Sequence, residues 1–563
     1  MTIKGSPQDL LAVLKRAAEY NPTRGIRLFQ VGQEVEYLLY QQLYQDVGRI
    51  ASSLKNLLNI TPGERIGVIL PTSADFVRAF FGVIAAGGVP VTLPAPFRFS
   101  SSIRYVQRIY GALTRSQIHR VLGDKKLIKI LGEASGCPDY SIQVLTVSNL
   151  LLEDFTTYSE LVENNPAFIQ YTSGSTSDPK GVILTHKQIL ANLEAIRHGL
   201  KMEHKDVVCT WLPMFHDMGL VGCLLSSIYT QIDLLLMAPD DFIRNPLYWL
   251  KLFEPYQATL SPAPNSAYLR CAEQIKEEDI KTLDLSSWRS AMNGSEQIDS
   301  LTTKKFIDKF QIAGFHPEAM MPVYGLAEAT LAVTFPPIDR GIHSVFTRRS
   351  LIGEKIVDIV SPDNPDAKEV ISVGYPVKGI EICLFEDNGT PISTKNKIGE
   401  ICIRGDSVTK GYDFDEQATN SAFREGWFAT GDLGFFHQDE LYITGRRKEV
   451  IIVHGQNYYA HDIELVVKEL EGFKIRNAMA ISVENKGTES LVLFVVTNEV
   501  DTEKRKQFIS IIREAVSLSL GISPLDVIFL KQNEIPLTSS GKLERHKGLQ
   551  LYESHTKALM YLA

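Results

Sequence analysis

The chain has 563 residues, 44% of them hydrophobic and 22% charged, and a net charge of −8. That length exceeds a single compact core, so two or more domains are expected in a globular protein of ordinary composition. The acidic balance, with no long basic stretch, excludes nucleic acid as the main partner. No apolar run is long enough to span a bilayer; residues 80–91 are too short and are interrupted by glycines. The first six residues lack the apolar core of a signal peptide. Cys137, Cys209, Cys223, Cys271, Cys383 and Cys402 are scattered, with no Cys-x-x-Cys pair. This argues against a disulfide framework or a zinc site and for reduced thiols in a cytoplasmic protein.

Taken in chain order, residues 27–29 and 34–39 flank Gly32 as a hairpin. Residues 40–58 have helical spacing and 65–70 form a short apolar strand. A helix at 72–86, ended by Gly87 and Gly88, precedes a strand at 89–93. Residues 167–171 are an apolar strand leading into a polar turn at 171–181, and 188–200 are helical. Alternation continues through 207–212, 223–229, 234–237, 246–253 and 263–275, a rhythm that predicts parallel sheets covered by helices. Past residue 370, short β-like runs at 381–385, 399–404, 441–444 and 450–453 predict a smaller β-rich subdomain. A small α/β unit begins at Gly445, with helices at 462–470 and 502–518 and strands at 477–483, 490–497 and 527–530. The junction, Gly445-Arg446-Arg447-Lys448-Glu449, is a charged run of the kind that commonly forms a solvated turn.

The polar turn reads Tyr171-Thr172-Ser173-Gly174-Ser175-Thr176-Ser177-Asp178-Pro179-Lys180-Gly181. Such a turn can wrap a phosphate: backbone N–H groups point inward, hydroxyls add donors and Lys180 adds charge. It is not a Walker A loop, which needs Gly-Lys-Ser/Thr. Pro179 and the flanking apolar runs favour a fixed loop over a flexible linker. The turn resembles the phosphate loop of the adenylate-forming superfamily, which includes acyl-CoA synthetases, peptide-synthetase adenylation domains, luciferases and fatty acyl-AMP ligases. That resemblance implies that Thr172, Ser173, Gly174, Ser175, Thr176 and Lys180 hold the β/γ-phosphates of ATP.

Further motifs resemble the same superfamily in the same order. Trp211-Leu212-Pro213-Met214-Phe215-His216-Asp217-Met218-Gly219 resembles the segment lining the carboxylic acid pocket. It implies His216 at the mouth of the acyl site and Met214, Phe215 and Met218 along an alkyl chain. Asn293-Gly294-Ser295-Glu296 resembles the adenine-binding turn, where a glycine lets backbone approach a flat base. Tyr324-Gly325-Leu326-Ala327-Glu328 resembles the segment whose Tyr stacks on adenine and whose Glu holds Mg²⁺, here with Thr172 as a second ligand. Asp432, in Thr430-Gly431-Asp432, resembles the ribose carboxylate, which can accept from both hydroxyls. The 443–449 run resembles the hinge, placing Arg446 at the nucleotide and Lys448 at the pivot. Ser540-Gly541-Lys542 resembles the loop carrying the adenylation lysine.

The resemblance implies an α/β fold. It consists of a large N-terminal AMP- and acyl-binding domain (1–445) of parallel-rich sheets covered by helices plus a β-rich subdomain, and a small mobile C-terminal α+β domain (446–563). It implies ATP and Mg²⁺ as cofactors and two-step chemistry, with Lys542 serving adenylation and a C-terminal swing about Lys448 admitting a thiol acceptor. The stretch from Tyr324 to Gly374 is far longer than in typical acyl-CoA synthetases. Its surplus, at about 343–372, resembles the insertion of fatty acyl-AMP ligases, which deliver acyl-adenylate to an acyl carrier protein. The expected activity is therefore adenylation of a medium- or long-chain fatty acid for transfer to an acyl carrier protein. A long-chain acyl-CoA synthetase is the alternative, and a non-catalytic AMP-binding protein the remote one. The insertion, rich in apolar residues, is expected to pack on the N-terminal domain.

Overall fold

The computed structural model describes residues 7–96, 103–133, 141–155, 158–172, 179–394, 396–453, 456–470, 475–485, 488–499, 501–538 and 541–562. A seven-stranded sheet runs Met320–Pro322, Ser290–Asn293, Leu260–Ala263, Val207–Thr210, Asp233–Met237, Gly25–Gln30 and Gln33–Leu39. Its neighbours are parallel except the last pair, the hairpin expected around Gly32. A six-stranded sheet runs Gln143–Leu145, Arg120–Gly123, Arg65–Ile69, Val89–Thr92, Pro166–Tyr171 and Gly181–Thr185, parallel except for its last pair. Strands Asp233–Met237 and Val89–Thr92 are buried along their whole length, as a parallel sheet covered on both faces requires.

Helices Leu10–Tyr20, Tyr40–Asn56, Ala74–Ala85 and His186–Gly199 share one continuous core with both sheets. Ser73 caps Ala74–Ala85 by accepting the Phe76 N–H, and Thr185 with Gln188 forms a capping box at the start of His186–Gly199. Residues 223–229 belong to a π-helical turn, Leu220–Leu225, running into helix Ser226–Thr230. Among the described residues no helix is long and apolar enough to cross a membrane.

The β-rich subdomain is an antiparallel sheet of Ile380–Phe385, Gly399–Gly405, Trp427–His437, Glu440–Arg446 and Phe423–Arg424. One 3₁₀ turn, Arg447–Glu449, leads from it to the hairpin Val450–Val453 and Gln456–Tyr459. The C-terminal sheet, Ile475–Asn485, Thr488–Thr497 and Asp526–Leu530, has helices Ala460–Lys468 and Thr502–Leu520 beside it. It is buried on both faces: Ile463, Leu493, Phe508 and Ile512 share one core, Met479, Val492, Phe494 and Ile535 another.

Within residues 343–372, Ser344–Arg348 pairs antiparallel with Ala367–Ile371. Val345, Ile352, Val357 and Val370 are buried with Leu433, Phe435 and Tyr442 of the β-rich subdomain, as expected, and also with Tyr459 of the C-terminal hairpin. Lys368 Nζ lies 2.6 Å from an Asp462 carboxylate oxygen, and Asn457 Nδ2 donates to the Gly353 carbonyl (2.9 Å). Gly353 permits that approach, since an added Cβ would stand 2.5 Å from the Asn457 carbonyl oxygen. Both ends of the segment meet at buried Glu440. This carboxylate accepts from Arg340, Ser372 and Tyr375, and His343 Nδ1 lies 3.2 Å away.

Candidate active site

The site lies where three adjacent parallel strands end. Leu260–Ala263, Ser290–Asn293 and Met320–Pro322 deliver, at their carboxyl ends, Asn265, the turn at 293–296 and Tyr324, the usual place for a ligand in such a sheet. Gly294 is required there: a Cβ would stand 2.8 Å from the Val323 side chain and 3.0 Å from its carbonyl oxygen. Asn293 is fully buried and donates through Nδ2 to Asn265 Oδ1 (3.0 Å), and Asn265 in turn donates to Asp299 (2.6 Å). Asn293 therefore fastens the turn from beneath, while Gly294, Ser295 and Glu296 face a cavity of about 1920 Å³.

The same cavity is lined by Tyr324, Gly325 and Glu328 from the next segment and by Asp432 and Arg446 from the β-rich subdomain. Tyr324 Oη donates to Asp432 Oδ2 (2.7 Å), and Arg446 Nε donates to Asp432 Oδ1 (2.8 Å). Each carboxylate oxygen can accept twice, so both keep a free acceptor position for a pair of hydroxyls. The Asp432 charge, ahead of other effects, raises the Arg446 guanidinium above its ordinary value. Burial, with Asp432 beside it, pushes the Tyr324 phenol well up, so it stays a donor.

Thr172 and Lys180 stand next to the antiparallel pair Pro166–Tyr171 and Gly181–Thr185 and line the cavity. The Thr172 N–H donates to the Lys180 carbonyl (2.9 Å), closing the register of Tyr171 with Gly181. Ser173, Gly174, Ser175 and Thr176 lie outside the described residues. Opposite stands half-buried Glu328, whose Oε1 accepts from Tyr412 Oη (2.9 Å). Burial raises its carboxyl above the ordinary value, against the Tyr412 hydrogen bond.

His216 Nδ1 lies 2.7 Å from Asp217 Oδ1, at the N-terminus of the short helix leading into the π-turn. Burial pushes the Asp217 carboxyl up, but His216 and Lys542 outweigh it and leave it below the usual range. Met218 lines the cavity; Met214 is buried in the main core, and Phe215 contributes a backbone carbonyl that accepts from Gln170. The apolar arm is built instead from Ile196, Leu200, Gly222, Leu331 and Phe335 beside Met218. These come from the helix His186–Gly199 and its C-cap, the π-turn, and the strand Ala332–Phe335 with the residue before it; they share no local pattern, so the sequence offered no signal for them.

Lys448 and Lys542 reach the cavity from the other wall. Lys542 follows Gly541 in a tight turn in which the Thr538 N–H donates to the Lys542 carbonyl (2.7 Å). Burial, then the Arg446 charge, push its ammonium below the ordinary value, while Glu296, Asp217 and Asp432 hold it up. Arg545, which the sequence reading missed, anchors this turn: it donates twice to Glu464 (2.8 and 2.7 Å) and pairs with Glu449 (2.8 Å) at the 3₁₀ turn. Of the described candidates, only Asn293, Met214 and Phe215 stay off the cavity surface. The arrangement can place an ammonium and a guanidinium against an anion flanked by hydroxyl acceptors and an apolar channel.

Residues 14–413 match the model of the AMP-binding enzyme family. A medium-chain-fatty-acid–[acyl-carrier-protein] ligase of Moorena producens is 32% identical, covering 95% of this chain and 93% of that protein. A long-chain-fatty-acid–AMP ligase of Mycobacterium marinum is 30% identical over 92% of each. Among solved structures, one from a study of fatty acyl-adenylate ligases of E. coli and L. pneumophila has a TM-score of 0.90 at 31% identity, covering 98% of both chains. By its sequence, its fold and the residues gathered in this cavity, the chain belongs to the AMP-binding enzyme family, among the adenylate-forming ligases.

Proposed function

We propose that the chain activates a medium- or long-chain fatty acid with ATP and passes the acyl group to the thiol of an acyl carrier protein. The fatty-acid carboxylate oxygen attacks the α-phosphorus of ATP, the bond to the α,β-bridging oxygen breaks, and pyrophosphate leaves as acyl-adenylate forms; the thiol then attacks the acyl carbon, loses its proton, and AMP leaves. The observation that carries this reading is the single cavity in which Lys542 faces Asp432, Arg446 and an apolar arm. Lys542 neutralises charge on the carboxylate and α-phosphate as they meet, a preorganised electrostatic contribution. Lys180 and the loop at 172–176 hold the β/γ-phosphates. Asp432 accepts from the ribose, Tyr324 and the turn at 293–296 line adenine, and His216 stands where the acyl arm meets the reacting carboxylate.

Glu328 and Thr172 fit a Mg²⁺ ion, because that cation takes one or two carboxylates together with phosphate oxygens, and both face the phosphate-loop side of the cavity. Such an ion supplies charge neutralisation on the triphosphate. The C-terminal unit, bounded at 445/446 and turning about Lys448 within Arg447–Glu449, carries Lys542 into place and would leave for the second step. The apolar wall and the activities in the names of the relatives support a fatty acid as substrate and a carrier protein as acceptor. ATP as co-substrate and the free thiols of Cys209, Cys223, Cys271, Cys383 and Cys402 support a cytoplasmic setting.

The test is ATP–pyrophosphate exchange across a fatty-acid series and the amino acids. Exchange with dodecanoate well above that with any amino acid is expected. Faster exchange with amino acids would overturn the substrate assignment.

A further inference from the structure

Tyr412 was not among the residues singled out in the sequence, yet it touches two of the groups that surround the triphosphate. Its Oη donates to Glu328 Oε1 (2.9 Å), and its ring lies under the Lys180 ammonium, 4.7 Å from Nζ to the ring centroid. The tyrosine is buried (8% exposed) and itself lines the cavity. Its backbone is fixed on both sides. The Thr409 N–H donates to the Glu328 carbonyl (2.7 Å), the Asp413 N–H to the Gly181 carbonyl (2.7 Å), and the Ile183 N–H to the Gly411 carbonyl (3.3 Å). Thr409 Oγ1 adds a bond to the Ile183 carbonyl (2.7 Å). Asp413, 2% exposed, is gripped by Arg65 through Nε (3.0 Å) and Nη2 (2.6 Å). Residues 409–413 thus form a strap that ties the strand leaving the phosphate loop to the segment bearing Glu328.

We propose that Tyr412 is a positioning residue: it sets the Glu328 carboxylate and the Lys180 ammonium at a fixed mutual distance, matched to a metal-bound triphosphate. The hydroxyl orients one Glu328 oxygen and leaves the other free for the cation. The ring face steers the lysine by cation–π attraction, so that the two opposite charges converge on the phosphates without collapsing onto each other. This rests on the adenylation reading, in which Glu328 and Lys180 serve the triphosphate.

The experiment is equilibrium binding of α,β-methylene-ATP and of AMP by calorimetry, without fatty acid, over a range of Mg²⁺ concentration. Thermal unfolding checks the fold of each variant. Tyr412→Phe keeps the ring and removes the hydroxyl. It is expected to weaken Mg²⁺-dependent binding of the triphosphate by about tenfold, the size of one hydrogen bond to a charged group, and to leave AMP binding unchanged. Tyr412→Leu is expected to weaken triphosphate binding in EDTA as well, because Lys180 loses its platform. In the double variant Tyr412→Phe/Glu328→Gln the loss should equal that of Glu328→Gln alone. Wild-type Mg²⁺ dependence in Tyr412→Phe, equal losses for AMP and triphosphate, or fully additive losses in the double variant would each overturn the proposal. Absence of nucleotide binding by the wild-type chain would overturn the adenylation reading and this inference with it.

Discussion

Lys542 is the residue on which the proposed chemistry turns. Its ammonium is held between repulsion from Arg446 and attraction from Glu296, Asp217 and Asp432, so it is poised against a site that is already charged. Lys542→Ala is expected to slow pyrophosphate release by about two orders of magnitude or more, as when one preorganised donor is lost. ATP binding should change little, because the residues proposed for adenine, ribose and the phosphates remain. A mutant that releases pyrophosphate at the wild-type rate would remove Lys542 from the mechanism. That Lys180, Glu328, Asp432, Arg446 and Lys542 gather on one cavity was legible in the sequence, because each sits in a short motif whose spacing is local. The apolar arm was not. Met214 points into the core, while Leu200 and Phe335, distant in sequence, meet only after the sheets have formed.

At the scale of elements, strands such as Arg65–Ile69 and Val450–Val453 and helices such as Tyr40–Asn56 stand within a few residues of the reading from periodicity. Their apolar spacing is the force that buries them. Residues 343–372 stand out in the sequence as surplus length, but their attachment was not legible, because Glu440 contacts His343 and Ser372 across the fold. Burial alone would raise the Glu440 carboxyl. Arg340, Ser372 and His343 outweigh it and bring it down to about 2 from an ordinary 4.5. A depressed carboxylate contributes stability above its unfolded value and loses it as pH falls toward its folded value. Glu440→Gln should therefore lower the melting temperature at pH 7, at a cost of about 2 kcal/mol for a buried charged acceptor. The difference from wild type should shrink as the pH is taken below 4.5. An equal difference at pH 7 and at pH 4 would show that Glu440 is not held as an anion.

For the whole molecule, the insertion bridges the β-rich subdomain and the C-terminal unit through Lys368–Asp462, Gly353–Asn457 and the packing of Tyr459. The proposed swing about Lys448 must break these contacts while the core of each unit stays intact. Lys368 and Asp462 are both mostly buried, at 13% and 18% side-chain exposure, so removing Lys368 leaves the Asp462 carboxylate without this partner in a largely buried place. A tenfold shift between two domain arrangements needs only about 1.4 kcal/mol. Lys368→Ala should therefore raise acyl-CoA output severalfold with the rate of adenylation unchanged. Shortening residues 343–372 to a tight turn should raise it further. Unchanged acyl-CoA output in both variants would mean that these contacts do not restrain the swing.

Following all products together separates a carrier-protein ligase from an acyl-CoA synthetase. The intact chain is supplied with ATP, Mg²⁺ and dodecanoate, and then with either coenzyme A or an acyl carrier protein bearing its thiol arm. Acyl-adenylate is expected to accumulate with coenzyme A present, with little acyl-CoA, and acyl transfer is expected to be efficient when the carrier protein is present. Rapid turnover to acyl-CoA by the intact chain would contradict this, making the protein an acyl-CoA synthetase and the insertion a surface feature only.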